Sequence, residues 1–279
     1  MQNVSIVLIT YKSEKVIFDF IKKIPKEIKT IIIENSNNNI MKQEIEKNYN
    51  NISVYIKENN GVSSSLNFAS QIIKTDYFLQ ISPDIEFDFN DLNIFLDLAK
   101  KLDNKFASIG PRFINVKEKS HKQIDDKTEY QSINSIHGSC MFINKINFDY
   151  IGGFDDNFFL FFEETEYCYR GKKNGYPSYQ TNKSLVKSLG RSVDINDKTI
   201  EKNISSLLVW HFIWSKYYFS KKKYGKLLSI LIFTPLLVRT NIKIIFYYVL
   251  NNQANLKKYK SRLSGLLASI KGKKSYLRV

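Results

Sequence analysis

Four short runs rich in Val, Ile, Leu, Phe and Tyr, at residues 4–10, 30–33, 52–56 and 77–81, most constrain what this chain can fold into. Each is β-branched or aromatic and bounded by polar residues, the pattern of a buried strand. The segments between them carry apolar residues at helical spacing, as at Val16, Phe20 and Ile24 or at Leu66, Ala69 and Ile73. Strands alternating with helices predict an α/β fold with a mostly parallel sheet. In such sheets ligands sit outside the carboxyl ends of the strands. Thr10-Tyr11, Glu34-Asn35 and Ser82-Pro83-Asp84 are therefore expected to converge on one crevice.

The net charge of +15 is unevenly placed. Residues 202–279 hold 16 Lys and Arg and no Asp or Glu, whereas residues 1–201 hold 26 basic against 27 acidic residues. This partition predicts an α/β domain over 1–200 and a basic, aromatic-rich helical extension over 201–279. The apolar run 227–238 contains Pro235 and is followed at once by Arg239. A span needs roughly 20 apolar residues, so the run reads as too short to cross a membrane. A basic, aromatic helix of this kind is expected to lie in the interface of an anionic membrane. A helical subdomain packed on the first domain is the alternative. Cys140 and Cys168 form neither a disulfide framework nor a metal spacing, which fits a reducing compartment. The first apolar run has no basic segment before it and no cleavage site after it, so no export signal is expected.

Short motifs sit at the ends of these runs. Thr10-Tyr11 ends the first, Glu34-Asn35-Ser36 follows the second, Asn59-Asn60-Gly61 with Asn67 follows the third, and Ser82-Pro83-Asp84 ends the fourth. Farther on come Ile136-His-Gly-Ser-Cys-Met-Phe-Ile143, Gly152-Gly-Phe-Asp155 and the aromatic run from Phe158 that leads through Glu163-Glu164-Thr165-Glu166 to Arg170. In order and spacing this set resembles the family 2 glycosyltransferases of the GT-A (Rossmann-like) fold, particularly their rhamnosyltransferase-like branch. The likeness covers residues 1–195 and, more loosely, 210–224.

The resemblance implies an inverting enzyme that moves a sugar, with rhamnose the best guess, from a dTDP- or UDP-sugar to a lipid-linked or surface polysaccharide such as capsule or lipopolysaccharide. It implies work in the cytoplasm, peripherally on the inner face of the plasma membrane. By resemblance Thr10, Tyr11, Glu34 and Asn35 hold base and ribose, and Asn59, Gly61 and Asn67 approach the diphosphate. Asp84 binds a divalent cation, Mg²⁺ or Mn²⁺, with Glu86 in support. Glu164 is the catalytic base, and Glu163 and Glu166 orient it or bind the acceptor.

Elementary chemistry asks for the same groups. A diphosphate concentrates negative charge that must be met before the sugar can leave, and a hard cation prefers carboxylate oxygens. Asp84 supplies one, and Glu86, two residues along a strand, points to the same side. Direct displacement at the sugar requires one carboxylate to take the proton of the attacking hydroxyl. Taken alone, three glutamates at a helix start read as a solvated first turn favoured by the helix dipole. The preceding phenylalanines would place the carboxylates against a dry wall that raises their pKa, or are ordinary core.

The chain departs from the family pattern where His-x-x-Gly-x-Ser is usual. It has Lys187-Ser-Leu-Gly-Arg-Ser192, so Lys187 and Arg191 are expected to bind phosphate directly, and cation use is left open. Lys12, Glu34, Ser82, Glu164 and Glu166 are further departures, compatible with a divergent enzyme or an inactive relative. A nucleic-acid-binding protein using the basic segment is the alternative from another class. The long apolar run argues against it, so no nucleic acid is expected. A homo-oligomer is left open.

Overall fold

The computed structural model describes residues 3–115, 122–190 and 198–278. They fall into two compact units, Met1–Asp155 with Glu164–Asp194 and Asp156–Glu163 with Ile195–Val279.

The first unit is α/β. Its elements are β1 (Val4–Thr10), α1 (Glu14–Ile21), β2 (Thr30–Glu34), α2 (Asn39–Asn48), β3 (Ile52–Ile56), α3 (Val62–Ile72), β4 (Tyr77–Ile81), β5 (Ile85–Glu86), α4 (Leu92–Lys101), β6 (Ser108–Phe113), β7 (Tyr130–Ile133), β8 (Cys140–Asn144), α5 (Lys145–Ile151), α6 (Glu163–Lys173) and β9 (Ser178–Ser188). The strands lie in the order β3-β2-β1-β4-β8-β6-β9-β5, with β7 beside β9. β1 to β4 are parallel to one another, β8 runs antiparallel between β4 and β6, and β9 returns parallel to β6. The mostly parallel sheet and its first four strands stand where the sequence places them. The helix expected through Ile24 ends at Ile21, because Pro25 disfavours helical backbone at the residue before it.

Alternation along the strands builds a core on each face. Val4, Ile6 and Leu8 of β1 face one cluster with Ile17, Met41 and Phe95 from α1, α2 and α4. Val7 faces the other, with Leu66, Phe148 and Tyr167 from α3, α5 and α6. A sheet covered on both sides needs apolar residues at consecutive positions, which is why these strands read as unbroken apolar runs.

The second unit holds α7 (Lys198–Tyr224), α8 (Lys226–Val249) and α9 (Gln253–Ile270). The compositional boundary near residue 200 lies in the first turn of α7. The run 227–238, expected to end at Arg239, is only the first half of α8. That helix continues through Arg239 and Lys243 to 24 residues and is long and apolar enough to cross a membrane by length and composition.

Phe158 and Phe159 of the aromatic run are buried in this unit, and Phe161 and Phe162 are half-buried. Phe158 packs on Trp214 and Tyr218, Phe159 on His211, and Phe161 and Phe162 on Phe212. α9 comes close to α7 because residue 265 is glycine; a Cβ there would stand 2.5 Å from the Trp210 carbonyl oxygen. His211 is wholly buried and bonded through its two ring nitrogens to Ser275 Oγ and the Leu277 carbonyl, each at 2.9 Å. Burial first, and the Arg278 charge after it, lower its pKa to about 4.

This neutral histidine stabilises the unit in a definite pH window. The unfolded chain takes up its proton near pH 6.5, whereas the folded one resists until about 4. Its contribution is therefore complete above 6.5 and is lost as the pH falls towards 4, by about 3 kcal/mol at most at ~1.4 kcal/mol per pKa unit. The chain's two tryptophans, Trp210 and Trp214, both lie in α7 and report on this unit. Urea unfolding followed by tryptophan fluorescence at pH 7 and pH 4.5 is expected to show a smaller acid loss for His211→Asn than for wild type. Equal losses would remove His211 as the cause.

Candidate active site

At the carboxyl ends of β1 and β2, most of the polar side chains shape the backbone. Glu34 is wholly buried; one carboxylate oxygen accepts the Ser36 amide at 2.8 Å and the Ser36 hydroxyl, and the other accepts the Asn38 amide at 2.7 Å. Ser36 Oγ in turn accepts the Lys12 amide at 3.2 Å, which ties the β1 and β2 loops together. Asn35 is buried and its side-chain amide donates to Ser65 Oγ of α3 at 2.9 Å. Thr10 is buried with its hydroxyl towards the Ile33 carbonyl. Thr10, Glu34 and Asn35, expected to hold the nucleotide, thus use these groups within the protein and position the loops. Tyr11 and Asn59 remain half-buried at the rim. Asn59 Oδ1 accepts the Gly61 amide at 3.3 Å, and Gly61, at φ 99°, opens α3 in a backbone region that favours glycine.

The loop after β4 reaches two other strands. The Ser82 amide donates to the Ser139 carbonyl at 2.8 Å, and the Leu189 amide donates to the Asp84 carbonyl at 2.7 Å. Asp84 is half-buried, and burial raises its carboxyl above the ordinary range. A carboxylate that is costly to ionise alone gains from a cation beside it. Glu86 is exposed and faces Lys187 as its register partner across β5 and β9. Side chains so paired stand about 5 Å apart, so Glu86 answers a lysine and is a weaker candidate ligand than expected. Among the described residues no three His, Cys, Asp or Glu cluster as a metal cage. The arrangement fits a hard divalent ion held by one carboxylate together with substrate phosphates. Arg191 lies outside the described residues.

The acidic motif opens α6. Phe161 and Phe162 before it both have φ 68°, a left-handed backbone that costs bulky residues about 1–3 kcal/mol each and sharply redirects the chain into the helix. Glu163 is buried. Glu164 is half-buried, accepts the Thr165 hydroxyl at 3.0 Å and lies over Gly138, where an added Cβ would stand 3.5 Å from its Cγ. Desolvation is the leading influence on its carboxyl and raises the pKa. The phenylalanines expected to supply this dry wall turn to α7 instead; Gly138 and Thr165 are the neighbours found at Glu164. The Ser82–Ser139 bond and the Gly138–Glu164 contact bring the Asp84 loop and Glu164 to the same end of the sheet.

Glu166 has another task. It is wholly buried and both its oxygens accept Arg170 Nε–H, at 2.8 and 2.9 Å, the i, i+4 pairing that their spacing predicts. The other guanidinium nitrogens donate to the carbonyls of Ile151 at 2.6 Å and Gly153 at 2.5 Å. Asn67 completes the clamp: its amide donates to the Phe154 carbonyl at 2.8 Å, and its oxygen accepts the Phe154 amide at 2.9 Å. Glu166 and Asn67 therefore hold the Gly152-Gly-Phe-Asp155 loop and are positioning residues. Gly138 and Ser139 lie in the motif 136–143 that the sequence singles out, but their roles, like the loop-binding role of Arg170, had no distinctive signal there.

Residues 5–161, more than half of the chain, match the family model described as glycosyl transferase family 2. The low-salt glycan biosynthesis hexosyltransferase of Haloferax volcanii is 24% identical, with 62% of each chain covered. An uncharacterized glycosyltransferase of Rickettsia typhi is 28% identical over 46% of this chain and 44% of its own. The chain thus spans less than two thirds of the length of these curated relatives. A mannosyltransferase from Pyrobaculum calidifontis, solved with GDP-Man and Mn²⁺, shares the fold at a TM-score of 0.59 and 11% identity, covering 98% of this chain and 88% of that one. Residues 1–349 of S. aureus TarS, solved with UDP-GlcNAc, do so at 0.53 and 12%, covering 99% and 93%.

The clamp on the Gly152–Gly153 loop is open to a direct test. Arg170→Met leaves Glu166 buried without its cation, which costs about 3–5 kcal/mol when a buried pair is broken. Denaturant unfolding is expected to show a loss in that range. A loss under about 1 kcal/mol, as for exposed pairs, would show that Glu166 does not depend on Arg170.

Proposed function

The chain belongs to glycosyl transferase family 2, and from that premise we propose that it is an inverting glycosyltransferase acting on a nucleotide-activated sugar. One observation carries the reading. Glu164, half-buried, raised in pKa and seated over Gly138, stands at the end of the sheet to which Ser139 ties the Asp84 loop.

In this reading Glu164 takes the proton of the acceptor hydroxyl while that oxygen attacks the anomeric carbon. The carbon–oxygen bond to the diphosphate breaks, the configuration inverts, and the nucleoside diphosphate leaves with the electron pair. Asp84 is the residue that would hold a divalent cation, which neutralises charge on the diphosphate when bound. Lys187 adds positive charge near the Asp84 loop. Arg170 and Asn67 hold the loop before α6 still. The motif resemblance favours dTDP-rhamnose as donor and a lipid-diphosphate-linked glycan as acceptor. The GDP-Man and UDP-GlcNAc of the structural neighbours mark the other donors to try first. A hydrolysis screen of the purified protein against these nucleotide-sugars tests the donor assignment.

Replacing Glu164 by Gln is expected to lower transfer by about 10²- to 10⁴-fold, the usual contribution of a general base, with donor affinity by calorimetry unchanged. Because burial favours the protonated carboxyl, the acid limb of kcat/KM is expected above the ordinary carboxylate range. A variant keeping more than about a tenth of the wild-type rate would place the base elsewhere, with Glu163 the next candidate.

Metal dependence is expected because Asp84 is the carboxylate placed to hold a cation against the diphosphate. EDTA is expected to stop donor hydrolysis and added Mn²⁺ to restore it. Full activity in EDTA that becomes metal-dependent in Lys187→His would instead assign neutralisation of the diphosphate to Lys187.

A further inference from the structure

In the C-terminal unit, α8 is apolar on both sides: Ile230, Leu236 and Leu237 pack inward with Phe233, and a second apolar face is left outside. The side it presents to α7 and α9 includes Ser229, Phe233 and Thr240, all buried, with Ser229 Oγ bonded to Ser220 Oγ at 2.9 Å. The side it presents outward is aliphatic. Leu227, Leu231, Val238, Ile242, Ile245 and Val249 repeat at three- to seven-residue intervals along one stripe and are 53–81% exposed. Singly exposed apolar residues are ordinary, but a continuous stripe over a whole helix marks a surface that something covers.

The charge around the stripe selects the cover. Lys222 and Lys223 at the end of α7 and Lys226 at the start of α8 are exposed, and Lys257, Lys258 and Lys260 are exposed on α9. Residues 202–279 contain no acidic side chain to offset them. A second copy of the chain would bring two strongly positive surfaces together. An anionic lipid surface answers both features, with headgroups for the lysines and acyl chains for the stripe.

We propose that the outer stripe of α8 is an in-plane anchor that beds the C-terminal helical unit into the surface of an anionic phospholipid bilayer. At 1.5 Å per residue, 24 residues reach about 36 Å, enough to span. Spanning is opposed by Arg239 and Lys243 near mid-helix, each costing roughly 2.5–3.5 kcal/mol at the bilayer centre. It is also opposed by the packing of α8 on α7 and α9, which expose Lys216, Lys257 and Lys258 and would be drawn into the hydrocarbon with it. Lying flat, the stripe enters the acyl boundary while the lysines stay among the headgroups. This inference is independent of the glycosyl-transfer reading.

The test uses the full chain and phosphatidylcholine vesicles with or without phosphatidylglycerol. Flotation is expected to carry wild type with the anionic vesicles, to fall as salt rises, and to be much weaker with neutral vesicles. Leu231→Glu combined with Ile242→Glu, two exposed positions, is expected to weaken binding roughly tenfold or more, with tryptophan fluorescence unchanged. Wild type staying in solution with both vesicle types overturns the proposal without reference to any variant. So does lipid-free dimerisation that the same double variant abolishes in a protein that ignores vesicles. Bound protein that resists alkaline carbonate extraction would replace the in-plane anchor by a spanning helix.

Discussion

The antiparallel docking of β8 on β4 is the contact on which the candidate site depends. Ile81 lies opposite Cys140, and the ladder continues past the strands as the Ser82–Ser139 bond. Because β8 runs against β4, the residues before it stand at the carboxyl end of the parallel sheet. A parallel strand in this place would have put them at the far end. The reversal brings Gly138 to the crevice, and the missing side chain leaves the space that Glu164 covers. At the other end of β8, Asn144 caps α5 through the Asn147 amide at 2.9 Å and directs the chain to Gly152 and Gly153. The carboxylate held over Gly138 and the loop held by Arg170 are thus both consequences of one strand direction.

The parallel half of the fold was legible because its physics is local. A strand buried on both faces must be apolar at successive positions, and β1, β2 and β4 show it, whereas β3 at the sheet edge exposes Ser53. β5, two residues long, and β9, which gathers β5, β6 and β7, have no such local signature; their pairing is decided by partners distant in sequence. The site was legible by motif and less so by role. Glu34, Asn67 and Glu166 stand in the expected motifs, yet each binds the protein itself. Acidic and amide side chains serve equally to meet a ligand and to satisfy buried backbone groups, and the choice depends on which donors the fold brings within about 3 Å. Arg170 was legible as the partner of Glu166 by helical spacing, whereas its bonds to Ile151 and Gly153 required the tertiary structure.

Asp84 and Glu164 show how one environment can suit two tasks. Burial raises both carboxyls. For a base, a higher pKa is useful, since it strengthens affinity for the proton that must be taken. For a metal ligand it is a cost, and the cation itself removes it by stabilising the charged form. Glu86 differs from both in being exposed and in standing opposite Lys187. The distinction between the three acids lies in desolvation and in the sign of the nearest charge, which residue type alone does not convey.

The two units solve the problem of apolar surface in opposite ways, and the contrast bears on what the basic segment is for. In the first, the sheet hides its apolar side chains between two helical layers. In the second, α8 packs Ile230, Phe233, Leu236 and Leu237 inward and still leaves a stripe of leucine, isoleucine and valine outward. A nucleic acid would engage the lysines and stack on exposed rings, but it offers little to cover a long aliphatic stripe. An isolated excess of positive charge would fit many anionic partners. Coupled to that stripe, it fits one whose charged surface overlies hydrocarbon, and this coupling is what separates a lipid surface from the other polyanions a cell contains.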